Sequence, residues 1–538
     1  MKFVLPFAII ALLLGCQSNL PDESNVFFYN ENNSITTLDP AFARDLEIMW
    51  ATNQLFDGLV EFDKDLNLIP CIAKSWKVSE DGRAYTFNLR KNVRFHPSPL
   101  FSNPEERYVT AQDFVYSFRR IVDPILASPG AWIFDKVNDP LENGFQAPND
   151  TTLIIQLKEP FHPFLSILTM QYCNVVPKEV VEHFGPDFRS NPIGTGPFKF
   201  AFWYEGTSLV FHKHISYWQT DSSGITLPYL DGIKIDFIKD VAVEYQNFLL
   251  GNYDFISGIH PAYKDELLTP KGELNAQFES KINFYKTPFI KTDYLGFYLG
   301  ENTSASTMKA LQDVRIRKAI ELSINKEEMV RYLKNNTVVA ANQGFIPPAL
   351  LHSPQLHNEY NPQKAQDLLT EAGFPKGQGL PEIPLAATAD YADLLEYMQH
   401  QLALNGIKIS INILQGPTLR EASAKGTLPV FRKSWLADYP DAENFTGLFL
   451  KKNFSPDGPN YTHFYNENIE VLYAKSNSGL PDSSRLECFA AINELVASEV
   501  PVIPLYYDQV THFVSPKIMD WEINPINMID LKKVKKIH

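Results

Sequence analysis

No single hydrophobic core organises 538 residues, because cores stop growing at about 250 to 300 residues and longer chains divide. Length alone implies roughly three structural units, which need not be contiguous. No period of about twenty to fifty residues recurs along the sequence, so solenoids and other repeat architectures are excluded.

Local patterning fixes the class of those units. Val26-Phe27-Phe28-Tyr29 starts a strand that the turn Thr37-Leu38-Asp39-Pro40 interrupts. A helix is expected to carry Asn53 to Leu59 and to end at Gly58. Tyr85, Phe87 and Leu89 alternate with Thr86, Asn88 and Arg90, the period of a half-buried strand. Thr110 and Asp113 form a capping box for a helix whose Phe114, Val115, Phe118 and Val122 share a face, stopped by Pro124. Thr152 to Leu157 is another strand. In the second half helices alternate with strands: helices at 315–323, 326–334, 362–372 and 392–404, the last two closed by Gly373 and Gly406, then a strand at 407–414. This alternation gives an α/β architecture with helices covering a mixed sheet.

Charge and the first residues restrict the setting. A formal charge of −15 opposes binding to phosphate backbones and anionic lipid headgroups and suits a cationic or zwitterionic ligand. The 38 Phe and 24 Tyr exceed what cores of this size need, so some are free to line a cavity. Lys2, the apolar run Phe3 to Leu14 and Gly15-Cys16 form a secretion signal too short to span a bilayer stably. Leu13-Leu14-Gly15-Cys16 resembles the bacterial lipobox, which implies a signal peptide at 1–15, lipidation of Cys16 and a polar tether at 16–21. Cys71, Cys173 and Cys488 are odd in number and widely spaced, so they define neither a disulfide framework nor a zinc site.

Signatures of catalysis are missing: no Walker loop ending in a hydroxyl residue, no HExxH, no GxSxG and no dinucleotide glycine fingerprint. Gly373 to Gly379 follows a helix and reads as a stop and loop. His212 and His214 share a strand face but lack a third ligand and read as surface residues. Asp438 and Asp441 pair carboxylates with no nucleophile placed beside them. No enzyme and no cofactor is implied.

Several segments in order resemble the oligopeptide and dipeptide family of extracellular solute-binding proteins, family 5, of ABC importers. They are Ser75-Trp76-Lys77-Val78-Ser79-Glu80-Asp81-Gly82 with Tyr85 to Arg90 and Val93 to His96, Val109 to Ser117, Pro192-Ile193-Gly194-Thr195-Gly196-Pro197-Phe198, Asp313 to Ile320, and Lys364 to Phe374. Pro97 to Tyr108 is inserted relative to that pattern. The glycines at 194 and 196 are expected to permit a backbone turn between lobes.

The resemblance implies a two-lobe periplasmic-binding-protein fold of type II, large peptide-binding cluster. Lobe I would comprise 22–62, 187–288 and 505–538, with an extra domain at 63–186, and lobe II 289–504. It also implies a short peptide ligand, permease subunits and through them ATPases as partners, attachment to a membrane by lipid, a monomer, no nucleic acid, and a place in the periplasm or on the outer face of the cytoplasmic membrane. The same fold would serve a dipeptide, cell-wall peptide, metal chelate or haem; a lipoprotein receptor or chaperone unconnected to import is the rival from another class.

Within Ser434-Trp435-Leu436-Ala437-Asp438-Tyr439, Asp438 is expected to accept the ligand ammonium. Main-chain groups of Ser434 and Leu436 would pair with the peptide like an added strand. Trp435 would wall a side-chain pocket, Leu46 in the loop Asp45-Leu46-Glu47 would supply a backbone contact from the first lobe, and Arg432 would meet the ligand carboxylate. No metal ligand is assigned.

Overall fold

The computed structural model describes residues 25–537 apart from 302–304, 355, 357–358 and 479–481. The signal segment and Cys16 lie outside the described residues.

One mixed sheet runs through both halves of the molecule. Its strands follow the order Ile409–Ile413, Ile383–Ala387, Val430–Leu436, Asn283–Phe297, Val502–Val514, Phe255–Ser257, Val26–Asn30, Gly232–Asp236, Ser208–Lys213, Phe198–Tyr204. Val26–Asn30 pairs in parallel with Gly232–Asp236, and Ile383–Ala387 in parallel with its two neighbours. Asn283–Phe297 and Val502–Val514, of 15 and 13 residues, pair antiparallel and carry the chain from one half to the other. Their register slips between Pro288 and Thr292 and again between Asp293 and Tyr294.

Four further strands, Ala73–Val78, Ala84–Leu89, Thr152–Gln156 and Phe145–Asn149, build a separate antiparallel sheet. Tyr85, Phe87 and Leu89 point inward as their alternation requires. The helix Ala111–Val122 covers this sheet, and the Asp113 carboxylate accepts from the Thr110 N–H and Oγ at 2.8 and 2.9 Å. The apolar side chains of this unit and of the first half of the main sheet form one continuous buried cluster. Beyond the long strands two clusters lie on opposite faces of the sheet. One is built with helices Val314–Leu322, Lys326–Lys334, Pro362–Glu371 and Ala392–Leu404, the other with helix Asp482–Glu499. Gly373 and Gly406 follow their helices in the left-handed region, at φ +89° and +78°, where a side chain would be strained.

Three expectations need correction. The first helix spans Leu46–Leu55 and stops before Gly58, because Phe56 is extended at φ −132°. Gly194 and Gly196 do not make a turn between lobes. They lie against the end of that helix: a Cβ at 194 would strike the Leu55 carbonyl oxygen and one at 196 would come within 2.7 Å of the Gln54 oxygen. The Gly196 N–H donates to Leu55 O at 2.9 Å, which takes the carbonyl that a further helical turn would use. His214 is buried instead of exposed, its Nδ1 3.1 Å from Gly196 O and its ring beside His96.

Gly194→Ala is expected to destabilise the first lobe by about 1–3 kcal/mol through overpacking, whereas Gly416→Ala, whose Cβ meets open space, leaves stability unchanged. Urea denaturation of both variants checks this; equal midpoints would remove the close-packing account.

Candidate functional site

A cavity of about 740 Å³ lies between the two lobes. Leu46 and Met49 reach it from helix Leu46–Leu55, and Leu436, Ala437 and Asp438 reach it from the end of strand Val430–Leu436. It therefore brings together three residues expected from sequence: Asp438, Leu436 and Leu46. Seven acidic and four basic residues line it, so its walls favour a cation.

The strand that ends at Leu436 is paired on one side only over its last residues. Along one edge it pairs with 291–297 from Leu436 back to Val430. Along the other, Ile383–Ala387 meets only Val430 and Phe431. Main-chain groups alternate between edges. The Pro429 carbonyl accepts from Tyr298 N and the Ala437 N–H donates to Ile290 O, so odd-numbered residues face the 283–297 strand. Ser434 and Leu436 then turn their N–H and C=O groups to the open edge, beyond the pairing of Phe431 with Ala386, and no described strand pairs with it there. From the first lobe, Asp45 makes no side-chain capping bond to the facing helix, which leaves a first-turn donor at Leu46 uncapped.

Asp438 sits just beyond this edge and is held by a residue that sequence reasoning missed. Asn444 Oδ1 accepts from the Asp438 N–H at 3.2 Å and from Trp435 Nε1 at 2.9 Å, while Asn444 Nδ2 donates to Asp438 Oδ2 at 3.3 Å. Asp438 Oδ1 makes no hydrogen bond among the described residues. The side chain is reached by solvent, yet protein surrounds it within the cleft. That desolvation pushes its carboxyl above the ordinary aspartate range, and the Asn444 bond only partly opposes the shift. The remaining Asp438 oxygen is free to accept a charge-assisted hydrogen bond from a cation.

The structure turns two expected residues away. Trp435 packs half-buried against the cluster built with helix Asp482–Glu499, its Nε1 bonded to Asn444, and is not among the residues that line this cavity. Arg432 is buried, ion-paired with Asp293, and lies 3.2 Å over the Tyr391 ring. A ligand carboxylate would have to displace Asp293 to reach it, and leaving a buried charge unpaired costs about 3–5 kcal/mol. Ser434 is half-buried on the open edge and contributes there through its main chain. Asp441, expected beside Asp438, is taken up by Arg485 at 3.0 Å.

Sequence also missed Asp57, which lines the same cavity. It is buried and accepts from Tyr217 OH at 3.1 Å and Trp218 Nε1 at 3.0 Å. Burial pushes its carboxyl up to about 7; the two hydrogen bonds and Lys532 act against this, and Glu61 adds to it. Lys532 itself is bound to Glu61 at 2.8 Å and Asp530 at 3.1 Å. Cys71, Cys173 and Cys488 are buried and unpaired. Among the described residues no three His, Cys, Asp or Glu side chains converge to hold a metal, and no helix is long and apolar enough to cross a membrane.

Residues 67–457 match the family model described as bacterial extracellular solute-binding proteins, family 5 Middle. The dipeptide-binding protein DppE of Bacillus subtilis (strain 168) is 25% identical over 535 residues, 95% of this chain and 92% of that protein. Among solved structures, HbpA2 from Haemophilus parasuis is similar with a TM-score of 0.81 at 22% identity, over 96% of this chain and 100% of that one. DppA from Helicobacter pylori, in complex with the peptide STSA, is similar with a TM-score of 0.75 at 22% identity, over 95% and 98%. The fold is the type II periplasmic-binding-protein fold, two lobes around a cleft.

Because the folded-state pKa of Asp57 is raised to about 7, its contribution to stability is lost as pH rises from the ordinary aspartate range through neutrality. Thermal melts of wild type and Asp57→Asn between about pH 5 and pH 8.5 check this: wild type is expected to lose stability relative to the variant as pH rises. A pH-independent difference would show that Asp57 is not held in this state.

Proposed function

Because this chain belongs to the family 5 bacterial extracellular solute-binding proteins, we propose that it captures short peptides by their charged amino end and presents them to the permease of an ABC importer. A peptide brings an ammonium, a carboxylate and a row of backbone donors and acceptors, and a site that leaves any of these dry and unpaired loses affinity. Asp438 receives the ammonium, and the open edge at Ser434 and Leu436 receives the backbone as an added strand. Leu46 offers a main-chain donor from the opposite lobe. The observation that carries this reading is the juxtaposition, in one cavity, of the Asp438 carboxylate, with one oxygen left without a hydrogen bond among the described residues, and the open end of a strand edge at Leu436.

Because the recognising groups belong to the ligand's main chain, affinity depends little on side-chain sequence. The dipeptide named for DppE and the tetrapeptide bound to the Helicobacter pylori protein support a peptide as ligand class. The family and the relatives named for binding support binding without turnover. We divide the lobes at 288/289 and 504/505, where the two connecting strands slip register, and assign 63–186 to the extra domain. Cys16 is assigned as the lipid anchor from its lipobox.

Native mass spectrometry of the protein purified without its lipid is expected to show co-purified peptides as discrete added masses. Asp438→Asn is expected to weaken binding of tetra-alanine by roughly 10- to 100-fold, the loss of one charge-assisted hydrogen bond. N-acetyl-tetra-alanine should bind wild type about as weakly. Calorimetry decides: undiminished binding by the variant sinks the proposal. Cys16→Ser is expected to move the protein from the detergent phase to the aqueous phase on Triton X-114 partition; unchanged partition would rule out that anchor.

A further inference from the structure

A second contact between the lobes lies on the other side of the turn that presents Asp438. Arg485, on helix Asp482–Glu499, is almost fully buried and gives every face of its guanidinium to a partner. Nη2 donates to both Asp441 carboxylate oxygens at 3.0 and 3.1 Å, Nε donates to Ser476 O at 3.2 Å, and Nη1 lies 2.9 Å from His162 Nδ1. His162 belongs to the opposite lobe, in the loop before helix Phe164–Ile167. An arginine only donates, so His162 Nδ1 accepts and Nε2 carries the proton, which it directs at Asp482 Oδ1 at 2.7 Å.

Asp441 in turn organises the ligand loop. Its Oδ1 accepts from the Glu443 N–H at 2.8 Å and its main-chain carbonyl accepts from Asn444 N at 3.1 Å. Asn444 is the residue that holds Asp438. Pro440 lies between the two aspartates and lines both the ligand cavity and a second cavity of about 520 Å³. Phe161 and Leu165 of one lobe face Leu486 and Phe489 of the other across that second cavity. Tyr439 crosses as well, its ring buried in the first lobe's core cluster.

We propose that Arg485 is a positioning residue for ligand capture, tying the turn that presents Asp438 to His162 on the opposite lobe, so that lobe closure and presentation of the ligand acid are one event. This rests on the assignment of Asp438 as the ammonium acceptor. The Arg485–Asp441 pair is buried and lies within one lobe, so parting of the lobes need not break it. The His162 side chain is 48% exposed, so its bond to Arg485 is the weak, reversible member of the chain.

Dissociation of tetra-alanine from the full chain, followed by surface plasmon resonance, tests it with His162→Ala and Arg485→Lys, each melted without ligand. His162→Ala is expected to release the peptide about three- to tenfold faster, with an unchanged melting temperature and an intact preference for tetra-alanine over its N-acetyl form. Arg485→Lys keeps a charge on Asp441 but lacks the planar fork, and its preference for the free amine is expected to shrink. An unchanged release rate in His162→Ala overturns the proposal. So does an Arg485→Lys protein that only melts earlier while keeping the full amine preference, since that is a purely structural role. If Asp438→Asn binds tetra-alanine like wild type, the underlying assignment fails whatever these two variants do.

Discussion

Two antiparallel strands, Asn283–Phe297 and Val502–Val514, are the constraint on which the molecule depends, because their ladder makes two lobes into one sheet. A continuous ladder would be stiff. This one slips at Pro288–Thr292 and at Asp293–Tyr294, and side-chain charge gathers at the slips: Lys291 lies 2.6 Å from Asp508 and 3.7 Å from Asp293, which also binds Arg432. Ion pairs thus cluster where the backbone ladder is interrupted. Arg432 is occupied there, so the strand Val430–Leu436 is fixed to the connecting pair and its other edge is left to the cleft.

The site divides its work between groups of different cost. Main-chain donors and acceptors on the strand edge are already placed, so using them orders little further chain. Asp438 carries the expensive part. The protein around it raises its carboxyl above the ordinary aspartate range, and in the proposed capture an arriving ammonium would offset that shift. Asn444 keeps the carboxylate aimed while satisfying only one of its oxygens.

Much of the fold was legible because local chemistry decided it. Thr110 with Asp113, Gly373 and Gly406 mark helix ends through interactions within one turn, and the structure places those ends within a residue of expectation. The first helix was misjudged because its end is set from far away: Gly194 and Gly196 pack on Leu55 across about 140 residues of chain, and no local signal at Phe56 announces them. The site followed the same rule. Asp438 and the strand before it could be read from a motif, and period-two alternation put Trp435 on the face opposite Leu436. Asn444, Asp57 with Tyr217 and Trp218, and Arg485 with His162 acquire their roles from partners that only the fold brings near.

A bare strand edge is ordinarily a hazard, since it templates pairing with any other chain that reaches it. Here the exposed stretch is a few residues long and its end at Leu436 opens into the cleft that Leu46 and its helix also line. A folded domain is too wide to bring its own edge that deep, whereas a loose, extended chain is thin enough to enter. Concavity thus acts as a filter on the conformation of visitors, and the surface that would drive aggregation in the open is reserved for molecules that are not folded.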